Sequence, residues 1–474
     1  MWHHANANGI GTAIGDASTA TGGNATATGN NATATGPSST ATGDSSTATG
    51  DSSTATGSSA HATGTRSTAT GYLSTASGDF ATATGTTSNA TGTNSTAYGA
   101  RAAAGDSFIS SVFRNAGTTA IGVDSQAGSS GAGQTNATAL GYQAIANAAN
   151  ATALGSGATA TGDNSTASGV GSTATGAHAS AYGQDSTASG SGSTATGSSS
   201  KATGNFSTAT GNASAASGTA ASAYGLNSTA SADSATAVGQ GSVASAVGAT
   251  ALGSTAQATA AGAVAVGQNS AATGVNAIAI GNGAVATGSV AVGASASAAN
   301  GGAAFGDGAV ATGVLATALG PNSQALAANS VAIGSGSVAT LANTVSFGTG
   351  GNERRLTNVA AGINPTDAVN MSQLSGLTSG FQSQISGLQS QILDNRTEAR
   401  RGIAAAVASS SAPMPSAPGK TTWQMRGSVF HGEGGFGFGF AHRLNTAVPL
   451  SVVGGYGNGG GVEHTAYVGL GGEF

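Results

Sequence analysis

A glycine recurs every seventh residue, from Gly15, Gly22, Gly29, Gly36 and Gly43 without a break to Gly99, and this spacing constrains the fold more than anything else in the chain. Self-similarity at a fixed period is the signature of a repeat architecture. The frame survives an interruption. Gly99 to Gly141 is 42 residues, or six sevens, and the run resumes through Gly162, Gly169, Gly176 and Gly183 to Gly288, with alanine substituting at Ala232, Ala246 and Ala260.

The unit is clearest at Ser39-Thr40-Ala41-Thr42-Gly43. Two β-branched residues spaced by two share one face of an extended strand, and the alanine between them points to the other. A coiled-coil heptad would need large apolar residues three and four apart, whereas glycine and threonine are both poor in helices. Each seven therefore reads as a short strand plus a glycine turn, and two sevens make one coil of fourteen. Gly is 80 of 474 residues, aromatics are 4% and charged residues 6%, a balance that would fit disorder were the period not so strict. A thin solenoid selects small side chains instead. We expect the β-branched pair to point into the coil. That pair is mostly threonine near the start, as at Thr47 and Thr49, and aliphatic toward the end, as at Val264 and Val266, Ile278 and Ile280, Val290 and Val292, and Val331 and Ile333. The expected result is a polar tip on a drier base.

At Ser346 the repeat stops and a new vocabulary appears, Glu353-Arg354-Arg355-Leu356-Thr357-Asn358-Val359-Ala360-Ala361-Gly362 and then Thr366-Asp367-Ala368-Val369-Asn370-Met371-Ser372-Gln373-Leu374. These two strings resemble the neck of trimeric autotransporter adhesins of the YadA type, and Asn329-Ser330-Val331-Ala332-Ile333-Gly334 resembles that family's head repeat. The resemblance implies a mainly β fold with three parts. These are a head that is a trimer of left-handed parallel β-rolls, a trimeric coiled-coil stalk and a 12-stranded trimeric outer-membrane β-barrel anchor with four strands from each chain. The domains fall at 1–348 for the head with an irregular insertion at 100–140, 349–373 for the neck, 374–408 for the stalk and a barrel-filling helix, and 409–474 for the anchor strands.

After the neck, Leu374, Leu377 and Phe381, then Ile385, Leu388 and Ile392, repeat a three-and-four spacing with one stutter between them. Asn395 continues the seam. In the family such an asparagine commonly faces the axis and can hold an anion; a register-setting asparagine without an ion, or a solvated helix end, explains it equally. Pro413, Pro415 and Pro418 end any helix. Four segments of outer-membrane strand length follow, at 421–430, 435–444, 447–456 and 462–474. In the second, Phe436, Phe438 and Phe440 alternate with Gly435, Gly437 and Gly439; in the third, Val448, Leu450 and Val452 share a face. We expect the phenylalanines to face lipid and the glycines the lumen, where they leave room for the preceding helix. Four strands cannot close a barrel, so three chains contribute. The terminal Phe474 resembles the aromatic by which such barrels are recognised for insertion.

No chemistry announces itself. No catalytic constellation, cofactor motif or metal-ligand spacing is present beyond the adjacent His3-His4, and the calcium-binding nonapeptide is absent, so neither an enzyme nor a cofactor is expected. A net charge of −5 without a basic stripe argues against nucleic acid. The chain has no cysteine, which suits export in an unfolded state, and Met1-Trp2-His3-His4 lacks the basic and apolar regions of a secretory signal. The triplets at Asn24, Asn31 and Asn94 are by-products of the repeat rather than glycosylation sites.

By resemblance, function is attachment. A homotrimer at the bacterial cell surface, inserted by the outer-membrane assembly machinery, would hold host matrix or cells, or neighbouring bacteria, through many weak contacts. Phe108, Ile109, Val112 and Phe113, between Arg101 and Arg114, form a candidate ligand patch, with packing of the insertion against the trimer as the plainer explanation. Two rivals stand beside adhesion. Ranked Thr-x-Thr pairs resemble ice-binding β-solenoids, a reading that an inward-pointing pair would exclude, and a long fibre can serve as a passive spacer.

Overall fold

The computed structural model describes residues 4–106 and 113–473. The chain divides into two units, 1–354 and 355–474.

The first unit is a parallel β-solenoid of 24 turns, in which two ladders of 24 strands run along the chain. One ladder is built of two-residue strands such as Thr47–Ala48 and Thr75–Ala76, the other mostly of three-residue strands such as Thr54–Thr56 and Thr68–Thr70. Register is strict and comes from the repeat: Thr54 pairs with Thr68, Ala55 with Ala69 and Thr56 with Thr70. Like residues therefore stack in columns along the fibre.

Those columns reverse the expected facing. The alanines, Ala55, Ala69, Ala83 and Ala97 among them, are fully buried, and the flanking β-branched residues are half-buried or exposed. The same holds at the aliphatic end, where Ala265 and Ala279 are buried between outward Val264 and Val266 and outward Ile278 and Ile280. The physical reason is width. A coil whose strands are only two and three residues long brings its sheets so close that only a methyl or a serine hydroxyl fits between them. The interior is alanine and serine at both ends, so it is no drier at the base, and the aliphatic gradient lies on the outer surface instead.

Glycine at the corners has a local cause. Gly57 sits at φ +128°, and a Cβ there would lie 2.6 Å from the carbonyl oxygen of Gly71 one coil on. Both the backbone conformation and the close stacking of consecutive turns demand a residue without a side chain.

The interruption is also corrected. Thr96 pairs with Thr119, and Thr119 with Thr138, steps of 23 and 19 residues where the regular step is 14. Gly99 to Gly141 thus holds two coils with two excursions, and its length of three regular coils is a coincidence. Asn115 ties the excursions together by donating from Nδ2 to Gly128 O and Gly131 O, both at 2.7 Å. Phe113 is half-buried there, its N–H donating to Asp106 Oδ2 at 3.3 Å. Phe108, Ile109 and Val112 lie outside the described residues. Two shortened coils follow later, Ile278 to Val290 and Val290 to Ala303.

The end of the solenoid is stapled by Arg354, which packs over Gly334 and donates to Ser337 Oγ at 2.6 Å, to Phe347 O at 3.3 Å and to Ser335 O.

The second unit is one helix, Met371–Ala408, and a four-stranded antiparallel meander of Thr421–Phe430, Glu433–Arg443, Leu450–Asn458 and His464–Gly472. The third strand begins three residues later than expected because Pro449 has no N–H to give the ladder. Val448 therefore lies before the strand rather than on its face.

Candidate functional site

The neck strings are a capping device. Asn370 is the N-cap: its Oδ1 accepts from Gln373 N at 3.0 Å, and Gln373 Oε1 accepts from Asn370 N at 3.2 Å. This reciprocal pair satisfies two N–H groups that a helix start leaves bare. The same side chains hold the incoming chain, with Gln373 bridging both backbone groups of Gly362 at 3.0 and 2.9 Å and Asn370 Nδ2 donating to Val359 O at 3.1 Å. Asp367 Oδ2 accepts from Asn364 N and Ile363 N, both at 2.9 Å, and these bonds, Asn364 first, hold its carboxyl below the usual carboxylate range. The second string thus orders the helix entry.

Along the helix the expected seam is bare. Leu374, Leu377, Phe381, Ile385, Leu388 and Ile392 are 48–65% exposed, an apolar row that one copy of the chain leaves in water. Asn395 is on the helix and exposed.

Lower down, the helix meets the sheet. Ala404, Ala405 and Ala408 are buried against it, and the glycines of the second strand form the floor. A Cβ on Gly435 would lie 2.6 Å from Ala404 O, and one on Gly437 or Gly439 would run into the backbone at Ala408 or Ser410 more closely still. A second glycine row, on the third strand and just past its end, was not anticipated. Gly455, Gly457 and Gly459 meet the backbone at Ser409, Ala405 and Arg401. Its signal was present in Gly455-Tyr456-Gly457-Asn458-Gly459, an alternation like that of the second strand. Polar side chains of the first strand complete the contact, with Ser428 Oγ donating to Ala404 O and Arg426 to Ser410 Oγ. Arg401 Nε bonds Glu433 Oε2 at 2.9 Å.

The other face of the sheet is apolar and exposed at Trp423, Met425, Phe436, Phe438, Val468 and Leu470, with Phe440 half-buried. The first and fourth strands are both unpaired edges. Among the described residues, no helix is long and apolar enough to cross a membrane and no group of metal-ligating side chains occurs. Phe474 lies outside the described residues.

A β-solenoid of 24 turns, a capped helix entry and a bare apolar seam along the helix define the class, a repeat protein whose helix is left for other chains to cover. Residues 11–102, 132–158 and eight further segments, ending with 325–350, match the family model of the YadA head domain repeat, and residues 355–395 match that of the coiled stalk of trimeric autotransporter adhesin. These matches take in more than half of the chain, which belongs to the trimeric autotransporter adhesins. Autotransporter adhesin NhhA of Neisseria meningitidis serogroup B is 31% identical over 87 residues, 18% of this chain and 14% of NhhA, so the match spans a small part of that relative. Among solved structures, the collagen-binding domain of the Yersinia adhesin YadA is similar at 29% identity, covering 44% of this chain and 86% of that domain, with a TM-score of 0.17.

Proposed function

We propose that the chain is one subunit of a homotrimeric outer-membrane adhesin whose head attaches the cell to host matrix, to host cells or to neighbouring bacteria, and whose C-terminal barrel serves export and anchoring. The observation that carries this is the four-stranded sheet with both edges open, one apolar face and one glycine face already occupied by its own helix. Three such sheets joined edge to edge make twelve strands around three helices. In that assembly Gly435, Gly437 and Gly439 line the lumen, Phe436, Phe438 and Phe440 meet lipid, and Phe474 is the signal read by the assembly machinery. Asn395 faces the stalk axis, where it sets register or holds an anion.

The columns favour one face of the head for a ligand. On the three-residue ladder the last position is exposed threonine nearer the start, as at Thr42, Thr56 and Thr70. From Tyr98 on it is often apolar, as at Leu140, Leu154, Tyr182, Tyr224 and Leu252, a surface suited there to contact between subunits. On the two-residue ladder the corresponding outward column is hydroxylic, as at Thr161, Thr175, Ser189 and Thr203, and stays free to bind. The test is binding of the full-length trimer, displayed on cells, to a panel of matrix proteins and host cells, with an aggregation assay beside it. Collagen, named for the YadA domain, belongs on that panel. Attachment or aggregation that depends on the head supports the reading; neither, in well-displayed protein, favours a passive spacer.

One observation supports a second reading. Because the Thr-x-Thr pairs face outward, the ground for setting ice binding aside is gone. Threonines two apart on a strand and one coil apart along the fibre stand about 6.8 by 4.8 Å apart, a flat regular array. Thermal hysteresis in solutions of the protein tests it.

A further inference from the structure

At the hairpin end of the anchor, four charged side chains of the chain meet at one level. Arg401 Nε bonds Glu433 Oε2 at 2.9 Å, and Arg401 Nη1 and Glu463 Oε2 both flank Gly461, 3.5 and 3.1 Å from where its Cβ would stand. Arg400, the fourth, is the next helical residue, half-buried and in no ion pair among the described residues. The charges balance two against two, but only one pair is made. Glu463 Oε2 is buried without a hydrogen-bond partner, and so are Thr465 Oγ1 and Tyr467 OH two and four residues along the same face of the fourth strand. These three atoms lie in a row on the helix side of an edge strand and are covered by the chain's own atoms. Glu463 as a whole stays partly exposed beside Arg401, which gives its ion pair to Glu433, and makes no ion pair among the described residues.

We propose that Arg400 of the partner subunit fills this place, so that Glu463 and Arg400 form an intersubunit pair in each of the three seams of the anchor. The inference rests on the homotrimer reading above. Rotation about a threefold axis running along the helix keeps every residue at its own height. Arg400 lies only about 1.5 Å along the helix from Arg401, so it occupies the same layer as every copy of Glu463. It is turned about 100° around the helix from Arg401, away from the Glu433 pair of its own chain. The helix packs chiefly on the second strand and least on the fourth, so the fourth strand's inner face is the part of the sheet nearest a neighbouring sector. A charge held partly out of water without a counter-charge is costly, and pairing Arg400 with Glu463 removes that cost for both.

Charge reversal in the full-length chain tests this, read as the fraction of heat-resistant trimer on gels and as surface display. Arg400→Glu and Glu463→Arg alone should each lower the trimer several-fold, and the double variant should restore most of it. Arg396→Glu sits about 6 Å away along the helix and should not rescue Glu463→Arg. Because the chain has no cysteine, Arg400→Cys with Glu463→Cys gives a second readout. A short bismaleimide should link subunits into covalent dimers and trimers. Single variants like the parent, a double variant no better than the worse single, or cross-linking only within monomers would overturn the pair. If the parent itself runs as a monomer, the trimer reading fails instead, so the two failures are distinguishable.

Discussion

Head and anchor both depend on glycine, for different reasons, and the difference shows which part of the molecule is complete in one chain. In the head, glycine stacks on glycine one coil on, and the interior of alanine and serine is closed within the chain. In the anchor, glycines at ordinary strand φ make a floor for the helix, and the sheet around them has two bare edges, an exposed apolar face and polar atoms without partners. A repeat buries its core against its own neighbours. In the proposed trimer the anchor is finished by the other copies.

The head contains the same contrast in miniature. Gly57, Gly71 and Gly85 belong to a corner column at φ near +130°, whereas Gly50, Gly64 and Gly78 form the opposite corner at φ outside the left-handed region. Ala232, Ala246 and Ala260 all fall in the second column, none of them at positive φ. Alanine replaces glycine only where crowding alone, and not backbone conformation, stands against it.

The largest expected effect is in the anchor. Gly437→Trp should abolish heat-resistant trimer and surface display while the head repeats stay folded, because its side chain would occupy the path of the helix backbone at Ala408. Phe438→Leu, on the exposed face, should change either readout little, since in the proposed barrel lipid accepts both side chains. Parent-like behaviour of Gly437→Trp in gels and whole-cell labelling would show that the glycine floor is not needed for assembly, and would break the comparison at its anchor end.

A smaller effect is expected in the head, where the two columns can be set against each other. Gly57→Ala meets both the left-handed backbone and the carbonyl of Gly71, and should cost about 2–3 kcal/mol locally. Gly64→Ala meets crowding only, and Ala232 shows that a coil can open enough to hold it, so about 1 kcal/mol is expected. Amide hydrogen exchange in the coils on either side measures both. Equal loss of protection in the two variants would mean that stacking, not φ, fixes glycine at the corners.

Much of this was legible in the sequence. The seven-residue period and the alternating Phe436 to Gly439 stretch each place a structural device at the right residues, because each is local: a turn and a strand face. The neck string carries a cap at Asn370 and Gln373, but in sequence it is marked only by its resemblance. What escaped depends on distances across the chain. Whether Thr40 or Ala41 of one strand points inward is decided by the gap between sheets, and alternation alone gives two answers. The 42-residue interruption kept the frame by accident of two loop lengths. Arg401 and Glu433 are 32 residues apart, and nothing in either neighbourhood marks the other.

The finest test of the comparison lies inside the solenoid, in two columns of buried serine that look alike in sequence. Ser74 Oγ donates to Gly71 O at 2.9 Å, as do its counterparts Ser46 and Ser88 to their own corner glycines. Ser67 belongs to the other column, where Ser39, Ser67 and Ser95 have no partner for their hydroxyls among the described residues. The left-handed corner glycine turns its carbonyl within reach of the serine three residues on, and the other corner does so at Ser53 alone of this stretch, at 2.7 Å from Gly50 O. A made bond to a buried hydroxyl contributes about 1 kcal/mol, and a buried hydroxyl without one costs about as much. Ser74→Ala should therefore lower stability by about 1 kcal/mol and Ser67→Ala should raise it by a similar amount. Alanine already stands at Ala60 and Ala81 in the two columns, so neither change disturbs packing. Urea unfolding of the two variants beside the parent decides it. Shifts of the same sign would mean that both corners serve their serines alike, and the asymmetry drawn between the two glycine columns would not reach the core.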